Sequence, residues 1–174
     1  DMLAECATLN PGLPRVQGDM RSVRLDQRFD VVFVHDAASY LLTEEDVEAL
    51  SATIAHHLRP GGVAIVGPDD LAETFEPGIE SGGHDGSDGR GLRYLAWSVP
   101  GSEHEVITDY AYMLRHLDGR VELAQDRHIT GRLPEAVWRR ALAGQGLSCE
   151  ILDLEADGVE AGEYRLFRCQ RPEA

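Results

Sequence analysis

Two apolar segments flank a helix-like segment in the first third of the chain. The apolar segments are Phe29–His35 and Val63–Val66. Between them, apolar residues recur at three- and four-residue intervals from Val47 to Leu58, which is typical of an amphipathic helix. Thr43 precedes that helix as a candidate N-cap. The order strand, helix, strand predicts a parallel βαβ unit whose strands are buried on both faces.

The same patterns predict the remaining elements. The glycine-dense, polar residues 78–91 predict a mobile surface loop. Asp118-Gly119 is a strong hairpin signal between two β-like segments. In chain order, the other predicted elements are a helix at 1–9, a short strand at 15–18, a short helix at 69–75, strands at 92–99, 106–117 and 121–129, a helix at 133–143, and an antiparallel pair at 148–154 and 164–169.

Composition narrows the class of protein. The 174 residues suit one domain, and all 16 basic residues are arginines in a chain of net charge −15. Such a charge disfavours a nucleic-acid partner, and no apolar run is long enough to predict a membrane span. The three cysteines, Cys6, Cys149 and Cys169, have no close spacing, which favours reduced thiols in a cytoplasmic protein. The chain has neither paired cysteines nor a His-x-x-x-His spacing, so no metal site is predicted.

Three segments carry a family resemblance: Gln17-Gly18-Asp19-Met20, Phe29–Asp36, and Leu58–Val66 with its Arg-Pro-Gly-Gly corner. Together they resemble the second half of the class I methyltransferases that use S-adenosylmethionine, above all the small-molecule N- and O-methyltransferases that act on deoxyamino sugars. The resemblance implies a Rossmann-like, three-layer α/β/α fold with sheet order 3-2-1-4-5-7-6. It also implies that the N-terminal strands are absent and that the sheet carries an antiparallel β insertion. Residues 1–174 would form a single methyltransferase-like domain, with 78–130 as a substrate-facing loop and β insertion.

In open α/β sheets, ligands bind beyond the carboxyl ends of the strands. By resemblance, Gly18, Asp19 and Met20 bind the adenine of the cofactor. The Asp19 carboxylate would accept a hydrogen bond from the exocyclic amine, and the Met20 amide would address a ring nitrogen. The alternative for Asp19 is an ordinary Asp-capped turn.

A second cluster follows the strand Phe29–His35. The resemblance places His35, Asp36 and Tyr40 near the methionine part of the cofactor, where a carboxylate and an aromatic ring suit a sulfonium cation. An equally weighted alternative is that Asp36 caps the turn at 37–42.

Methyl transfer needs a base only when the nucleophile arrives protonated. Asp69 and Asp70 are the best candidates, and Tyr40 is counted with them as a catalytic residue. Each further candidate is more often an ordinary surface group. Those further candidates are Glu73, His84, His104 and His128.

These observations predict an S-adenosylmethionine-dependent methyltransferase that acts on a small molecule, such as an amine or amino sugar, and releases S-adenosylhomocysteine. The alternative is an inactive methyltransferase-like fragment that acts as an interaction module or needs a partner to complete the cofactor site. An open sheet edge also invites pairing with another chain, so a homodimer is conceivable. The family's glycine-rich loop and ribose-binding acid would precede Asp1. If these 174 residues are the whole protein, weak or no cofactor binding is expected.

Overall fold

A computed structural model describes residues 2–153 and 164–173. The connection between the predicted strands at 148–154 and 164–169 lies outside them. The helices are α1 (Met2–Leu9), α2 (Glu44–His57) and α3 (Glu135–Gly144), with a 3-10 turn, η1, at Ala37–Tyr40. The strands are β1 (Phe29–His35), β2 (Leu58–Gly67), β3 (Gly78–Asp85), β4 (Gly91–Pro100), β5 (Glu105–Arg115), β6 (Val121–Gly131), β7 (Ser148–Asp153) and β8 (Arg165–Gln170).

The first sheet, sheet A, has the strand order β1-β2-β8-β7. β1 and β2 are parallel, whereas β8 runs antiparallel to both β2 and β7. This order and direction match strands 4-5-7-6 of the expected topology, so the Rossmann-like fold is confirmed. Helices α2 and α3 bury their apolar residues in one core with this sheet, where Trp138 stacks on Phe167 at 5.8 Å between ring centroids.

Helix α2 begins as its sequence predicts. The Thr43 hydroxyl accepts a hydrogen bond from the Asp46 amide at 3.1 Å, and three acidic residues occupy the first turn. At the other end, the buried His57 ring joins two segments. Its Nδ1 lies 2.7 Å from the Thr53 carbonyl, and its Nε2 accepts from the Leu25 amide at 2.8 Å. His57 is therefore a structural residue.

Strand β1 departs from the expectation of burial on both faces. Val31 and Phe33 are 61% and 66% exposed. These side chains alternate with those of Val32 and Val34, which pack against the core, so β1 buries only one of its faces. It is also an edge strand of sheet A, and within the described residues only β2 pairs with it. The continuous apolar pattern of β1 therefore does not indicate burial on both faces.

The second sheet, sheet B, is an antiparallel meander in the order β3-β4-β5-β6. The predicted loop at 78–91 is wrong, because most of it is strand β3. A side chain at Gly82 would meet the Tyr94 ring at 2.7 Å, and one at Gly83 would meet the Leu92 carbonyl at 2.2 Å. These glycines permit close approach of β3 to β4 rather than mobility. The hairpin at Asp118-Gly119 is confirmed, with Gly119 at φ +81°.

Three smaller predictions are wrong. Residues 15–18 form no strand, and residues 69–75 form a hydrogen-bonded turn rather than a helix. Cys149 and Cys169 are not reduced thiols but form a disulfide, because the register of β7 and β8 sets them directly opposite each other with Cα atoms 4.0 Å apart. Cys6 is a free thiol. Across the described ranges, no helix has both the length and the apolar character that crossing a bilayer requires.

Candidate active site

A cavity of about 370 Å³ lies between the carboxyl end of β1 and one face of sheet B. We call it the intersheet cavity. Its lining is mainly acidic and aromatic. The carboxylates are Asp36, Asp69, Asp70, Glu76 and Glu80, and the rings are those of Tyr40, Phe75, Tyr110, His128 and Tyr164.

The register of sheet B determines which of its residues face this cavity. Glu80, Ala96 and Tyr110 lie opposite one another across β3, β4 and β5. Thr108 and His128 are paired in the same way between β5 and β6. Because side chains alternate between the two faces of a strand, these positions share one face, which we call the inner face. Every sheet B residue that lines the cavity is on it.

Crowding of carboxylates changes their acidity. Burial, followed by the charges of Asp69 and Glu80, raises the pKa of Asp70 to about 6. Burial and the nearby charge of Asp36 also raise the pKa of Asp69, whose amide donates to the Ser39 hydroxyl at 2.9 Å. Carboxylic acids with raised pKa in a cleft are typical of functional sites. A cation entering the cavity would relieve this repulsion.

Asp36 lies in a strained position at the end of β1. Its φ of +51° is unusual for a residue with a side chain, and such strain concentrates at functional sites. Its carboxylate pairs with His35 Nδ1 at 2.5 Å and makes no capping hydrogen bond to η1. The capping alternative for Asp36 is therefore wrong.

Tyr40, the last residue of η1, contacts His128 of β6 at the wall of the cavity. The Tyr40 hydroxyl lies 2.9 Å from His128 Nδ1, and His128 Nε2 lies 3.2 Å from an Asp126 carboxylate oxygen. Tyr40, Asp69 and Asp70, the three sequence candidates for catalysis, thus line one cavity together with Asp36.

The predicted adenine contacts lie elsewhere. The Asp19 carboxylate accepts hydrogen bonds from the Arg21 guanidinium and from the Arg21 amide, which lower its pKa to about 2. Met20 lines a separate apolar groove beside β1, and Gly18 packs near Val23. None of the three lines the intersheet cavity.

Three of the further base candidates also lie outside the cavity. The Glu73 carboxylate accepts from the Glu135 amide at the start of α3. His84 lies at the far end of β3, in a different surface cavity, and His104 lies in the turn before β5, where its carbonyl accepts from the Arg132 amide. Of the candidate histidines, His128 alone lines the intersheet cavity.

Sequence reasoning missed Glu80 and Tyr110. Glu80 fell within the segment predicted as a loop, which concealed its alternation with neighbours. Once β3 is recognised as a strand, its pairing with β4 and β5 places Glu80 and Tyr110 on the inner face. Burial raises the pKa of Tyr110, with smaller contributions from Tyr112 and Glu80.

Comparison with known proteins agrees with this architecture. Residues 1–66 match the family model described as "Methyltransferase domain". The chain is 32% identical over 160 residues to dTDP-3-amino-3,4,6-trideoxy-alpha-D-glucopyranose N,N-dimethyltransferase of Streptomyces venezuelae, covering 88% of this chain and 65% of that protein. The chain has the class I methyltransferase fold.

A second curated relative and two solved structures are also similar to this chain. It is 27% identical over 153 residues to dTDP-3-amino-3,6-dideoxy-alpha-D-glucopyranose N,N-dimethyltransferase of Streptomyces fradiae, covering 87% of this chain and 60% of that one. Streptomyces venezuelae DesVI superposes with a TM-score of 0.87 at 27% identity, over 98% of this chain and 70% of that one.

CalS10 of Micromonospora echinaspora, an amino pentose methyltransferase solved with S-adenosylmethionine bound, superposes with a TM-score of 0.80 at 23% identity, over 98% of this chain and 70% of that one. The chain spans less than two thirds of the length of each of the two curated relatives.

Proposed function

We propose that the protein transfers a methyl group from S-adenosylmethionine to the amine of a small molecule, and that this molecule is an amino sugar. The observation that supports the substrate class is the intersheet cavity, whose five carboxylates surround a space of about 370 Å³. A protonated amine offers the positive charge that this lining lacks. The curated relatives, which are amino-sugar N,N-dimethyltransferases, support the same class.

The residues at the carboxyl end of β1 suit the cofactor's cationic centre. The Asp36 carboxylate is exposed and shares the cavity lining with the Tyr40 ring, a pairing that favours a sulfonium. We propose that His35, Asp36 and Tyr40 lie beside the methionine part of the cofactor.

The Asp19 carboxylate has little free hydrogen-bonding capacity for the adenine amine that it is proposed to bind. Its two carboxylate oxygens already accept four hydrogen bonds from Arg21. A carboxylate offers about four acceptor positions, so the adenine amine would have to replace one of these donors. On that condition, Gly18, Asp19 and Met20 remain the proposed adenine contacts.

When bound, S-adenosylmethionine supplies an activated methyl group for direct displacement by a nucleophile. The protein's part is to align that nucleophile and to exclude water. Asp69 and Asp70 would hold the amine from the sheet A side, and Glu80 would hold it from the inner face of sheet B. Residues 78–130 thereby serve as the proposed substrate-facing part of the domain. No observation favours the inactive alternative.

The test is methyl transfer by the intact protein. With S-adenosylmethionine and dTDP-3-amino-3,4,6-trideoxy-glucopyranose, mass spectrometry is expected to show a gain of one or two methyl groups. The same sugar with a hydroxyl in place of the amine is the matched control and is expected to stay unmodified. Methylation of the hydroxyl sugar alone would contradict the amine assignment, and modification of neither would contradict the function.

We also propose that the protein forms a homodimer through the outer face of sheet B. This face exposes Ile79, Leu95 and Trp97, with Trp97 60% exposed. The ion pair between Asp109 and Arg127 lies on the same face, so a two-fold related copy can present each charge to its opposite. An apolar face that also carries a paired charge suits a second copy of itself.

Sedimentation equilibrium tests the dimer. The wild-type protein is expected to be dimeric at micromolar concentration, and Trp97→Arg is expected to shift it to monomer. Leu117→Arg makes the same change at an exposed apolar residue in the β5–β6 turn and should leave the dimer intact. A monomeric wild type, or a dimeric Trp97→Arg variant, would contradict this interface.

A further inference from the structure

The acidic lining of the intersheet cavity creates a difficulty for amine methylation. Carboxylates that attract an ammonium group also stabilise its protonated form and so raise the pKa of the bound amine. An ammonium nitrogen has no lone pair with which to attack a methyl group. If the proposed function holds, the cavity therefore needs a group that removes the proton from the bound substrate.

Two side chains of the cavity wall, Tyr40 and His128, are hydrogen-bonded in series with a third, Asp126, which does not line the cavity. The Tyr40 hydroxyl lies 2.9 Å from His128 Nδ1, and His128 Nε2 lies 3.2 Å from an Asp126 carboxylate oxygen. The series begins at a residue that lines the cavity and ends at an exposed carboxylate. It thus connects the substrate space with solvent.

The chemistry of the three groups fixes the direction of the hydrogen bonds. An ionised carboxylate can only accept, so Nε2 of His128 carries a hydrogen and donates it to Asp126. In the neutral ring, Nδ1 is then an acceptor, and the Tyr40 hydroxyl donates to it. The lone pairs of the Tyr40 oxygen remain available to a proton donor in the cavity.

We propose that Tyr40, His128 and Asp126 form a relay that deprotonates the substrate ammonium. The ammonium proton moves to the Tyr40 oxygen while the Tyr40 proton moves to His128 Nδ1. The products are a neutral amine with a free lone pair, an unchanged Tyr40 and an imidazolium held by Asp126. The imidazolium then releases one proton to water, and the neutral ring returns to the tautomer that carries its hydrogen on Nε2. Tyr40 is the catalytic residue, and His128 and Asp126 are positioning residues that act through it.

The relay requires a neutral His128 ring, because an imidazolium has no nitrogen that can accept a proton. The groups that face it are Tyr40 from η1, Tyr110 from β5, with ring centroids 5.1 Å apart, and Asp126 from its own strand. Thr108, its register partner, does not titrate. Across the cavity, the carboxylates of Asp69, Asp70 and Glu80 add negative charge.

The test is the pH profile of kcat and KM for the intact protein, with the amino sugar and S-adenosylmethionine as substrates. Tyr40→Phe removes the hydroxyl and keeps the ring. It is expected to lower kcat about 10²- to 10⁴-fold near pH 7 with a much smaller change in KM. The loss of kcat relative to the wild type should become smaller towards pH 9, where solvent deprotonates the amine without the relay. His128→Gln should give the same profile.

Tyr112→Phe is the matched control. Tyr112 is another inner-face tyrosine, whose ring stacks on Tyr110 at 5.4 Å, but it does not line the cavity. This variant should keep the wild-type profile. An active wild type whose Tyr40→Phe variant retains the wild-type kcat and pH profile would overturn the relay alone. Equal losses in Tyr40→Phe and Tyr112→Phe at all pH values would also overturn it, since both would then be structural.

A second measurement does not depend on turnover of the variants. The ¹⁵N shifts of the His128 ring are expected to show a protonated Nε2 and an unprotonated Nδ1, and the Nδ1 shift should change in Tyr40→Phe. The opposite tautomer would overturn the relay even if the variants failed to fold. A wild type that methylates no amine would instead overturn the proposed function, and the relay with it.

Discussion

Replacement of Gly131 by alanine is expected to destabilise the protein by about 3 kcal/mol, which corresponds to a fall in Tm of about 6–12 °C for a domain of this size. A Cβ atom at this position would lie 2.0 Å from the Leu41 carbonyl oxygen. Backbone cannot move aside as a flexible side chain can, so β6 and the end of η1 would have to separate.

The same separation should reach the intersheet cavity. Leu41 directly follows Tyr40, and Gly131 lies three residues after His128. The 2.9 Å contact between Tyr40 and His128 is therefore held by the close approach at Gly131. Binding of the amino sugar, measured by calorimetry on the folded variant, should be lost or weakened more than tenfold.

Gly144→Ala is the control for Gly131→Ala. Gly144 ends α3, and nothing lies within 4 Å of the position that its Cβ would occupy. Alanine there should leave Tm unchanged or raise it slightly, because alanine is the better helix former. A Gly131→Ala protein that melts with the wild type would mean that β6 and η1 are not held this close.

Replacement of Asp70 by asparagine is expected to stabilise the protein at pH 7 while weakening amine binding about 10- to 100-fold. Burial and two neighbouring carboxylates raise the pKa of Asp70 to about 6 from an ordinary 3.8. The folded state therefore holds this proton more tightly than the unfolded state. This tighter proton binding stabilises the folded state in full below pH 3.8, and the stabilisation is lost as the pH rises to about 6.

Ionised Asp70 thus costs the folded wild type about 1–3 kcal/mol at neutral pH, and asparagine removes that cost. Unfolding by urea should show the gain of Asp70→Asn at pH 7 and no gain at pH 4. Glu48→Gln, which removes a negative charge on the exposed side of α2, is the matched control and should change neither stability nor binding by comparable amounts. An equal gain in stability at pH 7 and pH 4 would mean that the ionisation of Asp70 is not its cause.

Elements with a strong local pattern could be predicted from the sequence. Helix α2 combines apolar residues at helical spacing with a Thr43 cap, and the β5–β6 hairpin has a glycine that adopts the positive φ its turn requires. Each of these signals lies within a few residues of the element that it specifies. Predicting them required no knowledge of distant contacts.

The failures depend on contacts between distant residues. Gly82 and Gly83 indicate a loop until Tyr94 and Leu92 are known to lie against them. Likewise, the cavity could be anticipated from Asp69 and Asp70, but not the approach of His128 to Tyr40, which lies 88 residues earlier in the chain. Such sites arise from strand pairing and therefore appear only once sheet B is assembled.

Side chains in sheet B alternate between the inner and outer faces, and this alternation limits which mutations the protein can accept. Substitutions at every second residue of β5 or β6 can reshape the cavity without altering the outer face, and the reverse is equally true. A single inserted or deleted residue within either strand would instead exchange the two faces and turn Tyr110 or His128 to the outside. Length variation among descendants of this gene should therefore be confined to the turns, whereas new substrate preferences arise by point replacement on the inner face.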